Sequence, residues 1–259
     1  MSALEAGGRM IAGVDGCKAG WIAVMLTSGE QPQAAIFRTF AALVDSLPGD
    51  AVIAVDMPIG LPAITRKGGR GPEMLVRPLL GARQSSVFAI PSRAAVYTAV
   101  EEFTTLERWY EAHRLASAVA RATSEPPRSV SIQAFGIFPK IREIDALLRA
   151  RPELSSRVIE SHPEVAFWRL DGEQAMNLPK KVKGQVNPAG MAERRMVLAG
   201  LGLRRDFLEA VPPRGAAADD FLDACALLFI AARHARGQAR PFPDPPGVDA
   251  YGLPIAIWA

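Results

Sequence analysis

The sequence is poor in the residues that build disulfide frameworks and cysteine-based metal sites. Only two cysteines, Cys17 and Cys225, occur among the 259 residues, and they form no C-x-x-C pair or other ligand spacing. Two cysteines are too few for a disulfide framework, and their separation fits no common zinc pattern. We therefore expect both to be small buried apolar residues.

Long apolar runs are also missing. No run reaches the roughly 18 residues that span a bilayer, and the first ten residues lack the apolar core of a signal peptide. We therefore expect a cytoplasmic protein without a membrane partner. The formal net charge is +3, and this small basic excess permits a phosphate-bearing partner without requiring one.

Short apolar segments near the start of the chain predict a mixed sheet. Three strands are expected in succession, joined by tight turns. A helix with apolar residues at helical spacing then leads to a fourth strand, which should lie parallel to the first and beside it. Residues 51–55 are all apolar, as a parallel strand covered on both faces requires. The segments are MIAGVDG, GWIAVMLTS, QAAIFRTF, FAALVDSLPGD and AVIAVD, in that order.

The rest of the chain is predicted to be mainly helical. A helical stretch is expected over residues 94–122, followed by a proline-marked break and a second helix that begins near residue 138. Residues 157–170, RVIESHPEVAFWRL, predict a fifth strand with Glu160 near its end. The segment AAADDFLDACALLFIAARHARG predicts a long final helix, with Asp219 as its N-terminal cap.

Together these segments predict an α/β fold with a mixed five-stranded sheet. The order of elements is β-β-β-α-β-α-β-α, with helical insertions. We find no internal repeat or low-complexity linker and therefore predict one domain. Its predicted parts are a core at 10–56, a loop and helical insertion at 60–150, and the fifth strand, C-terminal helix and tail at 155–259, all within a single domain 1–259.

Four carboxylates are expected to meet at one edge of this sheet. Asp15 ends the first strand and Asp56 ends the parallel fourth strand, while Asp220 and Asp223 lie three residues apart near the start of the final helix. Ligands of open α/β sheets gather at the carboxyl ends of the strands. Clustered carboxylates repel one another unless a cation lies among them, and hard oxygen ligands favour Mg²⁺ or Mn²⁺. The pattern therefore predicts a magnesium or manganese site.

Six ordered motifs resemble a family of unknown function that is labelled as predicted RNase H-like nucleases. The motifs cover nearly the whole chain from about Ile11, and the segment DDFLDACAL also resembles the final helix of the Holliday-junction resolvases of that superfamily. The resemblance implies a ribonuclease H-like fold with Asp15, Asp56, Asp220 and Asp223 as its metal ligands. The motifs are GVDGCKAGW, AVDMPIGLP, ARQSSVFAIPSR, FPKIREID, ESHPEVAFW and DDFLDACALLFIAAR.

One position departs from the ribonuclease H pattern. Those enzymes carry a glutamate on the first helix, where this chain offers only Asp45. We therefore take Glu160, at the end of the fifth strand, as a further candidate catalytic carboxylate.

The resemblance implies metal-dependent cleavage of phosphodiester bonds in DNA or RNA. Two divalent ions about 4 Å apart would activate a water and stabilise the leaving oxygen, while basic side chains contact phosphates. Many resolvases dimerise, so the resemblance is also compatible with a homodimer. The candidate substrate-binding residues are Lys18, Arg83, Arg93, Lys140, His162 and Lys181, with Lys180, Lys183, Arg194 and Arg195 as further basic candidates.

Two alternative functions stay open. The first is a non-catalytic nucleic-acid or protein-binding module on the same scaffold. The second is a phosphotransferase or ATPase of the actin-like class, whose phosphate loop also follows a first-strand Asp-Gly. The second is disfavoured because those proteins duplicate the domain, for which this chain is too short, and because no Walker-type or G-x-G-x-x-G loop follows a predicted strand.

Overall fold

The computed structural model of the protein describes residues 3–100 and 104–259. Its strands and helices alternate along the chain, and short 3₁₀ stretches lie at Arg77–Ser86 and Pro152–Ser156. In chain order the elements are β1 (Ile11–Cys17), β2 (Gly20–Leu26), β3 (Gln33–Phe37), α1 (Phe40–Ser46), β4 (Val52–Val55), β5 (Thr65–Arg66), α2 (Pro72–Val76), α3 (Arg93–Val96), α4 (Leu106–Ala122), β6 (Ser124–Glu125), α5 (Ile132–Gly136), α6 (Phe138–Ala150), β7 (Val158–Glu160), α7 (Pro163–Leu170), β8 (Lys181–Val182), β9 (Gln185–Val186), α8 (Pro188–Gly200), α9 (Arg205–Glu209), α10 (Ala218–Ala235), β10 (Pro241–Val248) and β11 (Pro254–Trp258).

The central sheet has five strands in the order β3-β2-β1-β4-β7. β2 is antiparallel to β1 and β3, whereas β4 is parallel to both β1 and β7. This confirms the predicted α/β class and the mixed five-stranded sheet, including the position of the fourth strand beside the first. The parallel strand β4 is buried along its whole length, because helices cover both faces of the sheet.

Side-chain alternation in β1 and β4 separates two cores. Val14 and Val55 point into the core that contains α1 and the helical insertion, whereas Val52 and Ala54 point toward α10 on the opposite face. A Cβ atom on Gly13 would lie 2.1 Å from the backbone oxygen of Ala224 in α10. The glycine therefore allows the final helix to pack directly on the central strand.

The fifth strand is shorter than predicted. β7 ends at Glu160, and the segment that was expected to continue it forms α7 from Pro163 to Leu170. Proline suits the first position of a helix, where its missing N–H costs no hydrogen bond. His162 caps this helix, since its Nδ1 accepts a hydrogen bond from the backbone N of Glu164 at 3.2 Å.

Two further predictions about helices were wrong in detail. The single helical stretch expected over residues 94–122 is divided into α3, which ends at Val96, and α4, which begins at Leu106; residues 101–103 of that prediction lie outside the described residues. Asp219 does not cap α10. The cap position is Ala217, whose backbone N donates to Oδ2 of Asp220 at 2.9 Å.

The C-terminal tail forms a structure that the sequence did not predict. β10 and β11 pair as an antiparallel hairpin, and Asp249 lies in the turn between them. The two cysteines are buried free thiols, as expected. Among the helices described here, none combines the length and apolar character needed to cross a bilayer.

Candidate functional site

The strand register brings Asp15 and Asp56 together. Val14 of β1 pairs with Val55 of β4, and the backbone N of Asp56 donates to the carbonyl oxygen of Val14 at 2.9 Å. Each aspartate directly follows one of these paired valines. Because both valines point toward the helical insertion, alternation directs both aspartates toward the face covered by α10.

The final helix brings a third carboxylate to the same place. Asp223 precedes Ala224, whose backbone contacts Gly13 of β1, and this close approach holds Asp223 beside the carboxyl ends of the strands. Asp223 repels both Asp15 and Asp56 electrostatically. Asp220 contributes weaker repulsion, and one of its oxygens already accepts the hydrogen bond from Ala217.

The charge of these carboxylates is poorly compensated. Burial, followed by repulsion from Asp56 and Asp223, raises the pKa of Asp15 well above its usual range. Burial and Asp223 raise the pKa of Asp56 to about 8. The pKa of Asp223 is raised to about 6 by burial, even though a lysine opposes the shift. Such shifts are expected where buried carboxylates share one site.

The opposing lysine is Lys180. Its Nζ contacts Oδ2 of Asp223. Burial opposes the charged form of Lys180, but the ion pair with Asp223 and the attraction of Asp15 and Glu164 together raise its pKa. The adjacent Lys181 reaches Asp219 at 2.6 Å. These two ion pairs attach the short hairpin β8–β9 to the first turns of α10. The other oxygen of Asp223, Oδ1, is buried without a hydrogen-bond partner in the described part of the chain.

The donor set fits a hard divalent cation in its chemistry. Asp15, Asp56 and Asp223 offer carboxylate oxygens, and the orphaned Oδ1 of Asp223 is a buried acceptor of the kind that a metal ion satisfies. Among residues 3–100 and 104–259, no group of three or more Asp, Glu, His or Cys side chains has the geometry of a metal site. Lys180 supplies the positive charge at Asp223 instead.

A cavity of about 210 Å³ opens beside the carboxylates. Asp15 and Asp56 line one part of it, together with Lys140 and His162. Of the predicted substrate-binding residues, Lys140 and His162 are thus the two that border this cavity. The Nζ of Lys140 donates to the carbonyl oxygen of Gly20 at 2.5 Å and lies 4.3 Å from the centre of the Trp21 ring.

His162 is an uncharged side chain in this position. Burial lowers its pKa to about 4, so that the ring is neutral near pH 7. Its Nε2 lies 3.3 Å from the carbonyl oxygen of Ser86, while Nδ1 caps α7. Nε2 therefore carries the proton and donates to Ser86. A neutral, doubly engaged imidazole does not attract phosphate by charge.

Glu160 points to the other face of the sheet, although it lies close enough to Asp56 to raise the pKa of that aspartate. Glu160 lies two residues after Val158 on β7, so the two side chains share one face of the sheet. Val158 points toward the helical insertion, and Glu160 therefore faces away from α10. Its Oε1 accepts from Nη2 of Arg70 at 2.6 Å, and its Oε2 accepts from the backbone N of Ile59 at 2.7 Å. Glu160 borders the cavity, but its charge is already neutralised by an arginine that is itself buried.

Arg70 is a site residue that the sequence did not reveal. It lies in the segment KGGRGPE and also binds Glu73 at 2.8 Å. Gly69 and Gly71 on either side both have φ of +128°, which other residues rarely adopt. The glycines that flank the arginine were the available signal for a specially shaped loop.

The remaining basic candidates lie away from the cavity or are engaged elsewhere. Arg93 binds Asp145 and Asp249, each at 2.6 Å. Arg194 is fully buried and paired with Glu164 at 2.6 Å, so the expectation that it contacts a nucleic-acid backbone was wrong. The cavity lining, as described, does not include Lys18, Arg83 or Lys181, of which Lys18 and Lys181 are exposed.

Asp45 does not replace the missing first-helix glutamate. Its carboxylate lies at the surface, where Arg151 binds it at 2.6 Å. The acidic group beside the cavity is therefore formed by the strand ends and by α10.

Comparison with known proteins places the chain in a family. The profile of a family described as a protein of unknown function, DUF429, matches residues 13–247. The chain belongs to the DUF429 family. The DUF429 match contains Asp15, Asp56 and Asp223 as well as Lys180, so it covers the site described above. No curated protein and no solved structure matches the chain.

Proposed function

We propose that this protein is a nuclease of ribonuclease H-like fold that hydrolyses phosphodiester bonds of DNA or RNA with Mg²⁺ or Mn²⁺. The observation that carries the proposal is the convergence of Asp15, Asp56 and Asp223 on one face at one edge of the sheet, beside a cavity. Burial is the largest cause of the raised pKa values of these groups, and repulsion between carboxylates adds to it. A divalent cation would stabilise their charged forms.

The sheet order supports the ribonuclease H-like part of the proposal. An antiparallel β1–β2–β3 meander is followed by parallel strands β4 and β7 on the other side of β1, and α10 covers one face. This agrees with the β-β-β-α-β-α-β-α order expected from the sequence motifs. Fold alone does not fix an activity, so the argument for hydrolysis depends on the carboxylates.

Each residue of the site has a distinct task in this proposal. Asp15, Asp56 and Asp223 would hold the cations, and bound divalent ions supply activation of water and stabilisation of the leaving oxygen. Asp220 fixes the first turn of α10 through Ala217 and so positions Asp223. Lys140 places an ammonium group at the cavity, where it orients a phosphate oxygen.

A cleavage screen tests the proposal. Single-stranded, duplex, hybrid and four-way-junction substrates are incubated with Mn²⁺ and with wild type, Asp15→Asn, Asp56→Asn or Asp223→Asn. Loss of even an outer partner of a metal ligand costs about 10- to 100-fold, so we expect each ligand substitution to reduce cleavage by roughly 100-fold or more. Asp45→Asn, which changes a surface aspartate bound to Arg151, serves as the control and should cleave like wild type.

Calorimetry separates this proposal from the alternatives. Titration with Mn²⁺ should give heat with wild type and much less with Asp56→Asn. A non-catalytic binding module would bind nucleic acid but would give no heat when Mn²⁺ is added. An actin-like ATPase would require a nucleotide to bind the metal tightly. Cleavage that survives all three ligand substitutions would overturn the proposal, because the activity would then come from another site or a contaminant.

A further inference from the structure

We propose that the cavity beside the carboxylates receives the base of one unpaired nucleotide, so that the protein acts on single-stranded or locally unpaired nucleic acid. This rests on the proposed nuclease function and names its substrate class. Three features support it, namely the size of the cavity, the apolar side chains in its lining, and the presence of Lys140 in the same lining as Asp15 and Asp56.

The cavity is small. Its volume of about 210 Å³ lies below the roughly 300 Å³ at which sites for drug-sized ligands begin. This size suits a single ring system such as one base.

The cavity lining includes apolar side chains and an aromatic ring. Met57 follows Asp56 directly and is buried, and Phe88, Ile90 and Ile137 contribute further apolar groups from two other segments. Phe88 is half-buried against the core and also lines the cavity. Bases stack readily on such rings, and this stacking is tolerant of base identity.

The polar end of the cavity suits the phosphate of the same nucleotide. The stem of Lys140 passes over Gly16, where an added Cβ would lie 2.7 Å from Cδ of the lysine. The ammonium group donates to Gly20 and lies over the Trp21 ring, and it is also attracted by Asp15. It would therefore attract a phosphate bound next to the carboxylates.

The other charged side chains of the lining are paired with one another. Arg70 is shared by Glu160 and Glu73, and His162 is neutral. A divalent cation held by Asp15, Asp56 and Asp223 would attract the anionic phosphate of a nucleotide. The apolar side chains of the same lining would contact its base.

Base pairing decides which nucleic acids can use this cavity. In a duplex each base is paired and stacked on both faces, and extruding it costs a few kcal/mol. An unpaired base enters without that cost. The geometry therefore favours single strands, loops, bulges and frayed ends over intact duplexes.

Fluorescence anisotropy tests the inference with one labelled oligonucleotide, measured as a single strand and as a duplex. Affinities are measured without divalent ions and again with Ca²⁺, and the ratio of single-strand to duplex affinity is the readout in both cases. We expect Phe88→Leu, which keeps apolar volume but loses the ring, to weaken single-strand binding by roughly 5- to 150-fold. Duplex binding should not change.

Two controls keep the result interpretable. Tyr110→Ala removes an exposed aromatic ring of α4 outside the cavity and should leave both affinities unchanged. Thermal unfolding of Phe88→Leu shows whether the variant is folded. Equal affinity for single strand and duplex, or unaltered binding by folded Phe88→Leu, overturns the inference.

The outcomes also distinguish this inference from the proposed function. Metal-dependent cleavage that is equally fast on intact duplex and single strand would leave the nuclease standing and reject the base cavity. Single-strand preference that depends on Phe88, without any cleavage in the Mn²⁺ screen, would support the cavity and reject the nuclease.

Discussion

Lys180 controls the charge balance of the site at the scale of single residues. Its ammonium group contacts Asp223, while Asp15 and Asp56 have raised pKa values and repel one another. One lysine cannot compensate three carboxylates. A divalent cation that binds all three must therefore draw Asp223 away from Lys180 or share it.

This competition gives a prediction for Lys180→Met, which keeps the length of the side chain and removes its charge. We expect Mn²⁺ to bind the variant about tenfold more tightly, corresponding to about 1.4 kcal/mol, because Asp223 no longer has a competing partner. Without metal the variant should be less stable by about 3–5 kcal/mol, since a buried carboxylate loses its counter-ion. Calorimetry and thermal unfolding with and without Mn²⁺ measure both effects.

Lys181→Met is the matched control. It removes the neighbouring ion pair to Asp219, which is more exposed, and should change Mn²⁺ affinity little. Weaker or unchanged Mn²⁺ binding by Lys180→Met would show that this lysine does not compete for the site.

The sequence predicted some of these residues and could not predict others. Asp15 and Asp56 were identifiable because each follows a run of apolar or small residues, although β1 continues past Asp15 to Cys17. The register of β1 and β4 brings the two aspartates together. The partner of Glu160 was not identifiable, since Arg70 is 90 residues away and no local pattern links them. β7 has three residues, which is too short for alternation to show which face Glu160 occupies.

At the scale of elements, the contact between α10 and β1 positions the site. Gly13 lies under the helix, and a methyl group there would overlap the backbone at Ala224 and Leu228, 2.1 Å from each. The first turns of the helix carry Asp220 and Asp223. Any movement of α10 away from β1 therefore moves a carboxylate of the site.

Gly13→Ala tests this dependence. The added methyl group forces α10 outward, and overpacking of this kind typically costs about 1–3 kcal/mol. We expect lower stability in chemical unfolding and weaker Mn²⁺ binding in calorimetry, because Asp223 moves relative to Asp15. Gly49→Ala is the control, since Gly49 is exposed and has no neighbour within 4 Å of its added Cβ. If Gly13→Ala lowers the stability but leaves the Mn²⁺ affinity unchanged, then the packing of α10 on β1 does not position the metal ligands.

The elements were predictable where apolar periodicity is strong. The first four strands, α1 and α10 lie where the sequence indicated them. The fifth strand was predicted to be too long, because the apolar residues of α7 continue the apolar run of β7. Pro163 marks the start of the helix. The β10–β11 hairpin was missed because proline is unusual within strands, and β10 contains several.

At the scale of the whole molecule, Arg93 joins three distant parts of the chain. It lies on α3 and binds Asp145 of α6 and Asp249 of the C-terminal tail, each at 2.6 Å. Asp249 also accepts hydrogen bonds from the backbone N of Leu61 and of Leu253, each at 3.0 Å. The helical insertion, the loop after β4 and the tail are thus fixed to one another. These segments surround the cavity, so its shape depends on the connection.

Arg93→Met removes this connection while keeping apolar volume. Asp249 loses its ion-pair partner, whereas Asp145 keeps Arg149 at 2.9 Å and the hydroxyl of Tyr97 at 2.6 Å. We therefore expect a cost of about 3 kcal/mol, the lower end of the range for a broken buried pair. We expect a clear fall in the midpoint of urea unfolding, monitored by tryptophan fluorescence, and weaker single-strand binding because the cavity loosens. Arg151→Met removes an exposed pair with Asp45 and should have little measurable effect. Equal stability of the two variants would mean that the insertion and the tail are held by apolar packing alone, and that the ion pairs at Asp145 and Asp249 do not shape the cavity.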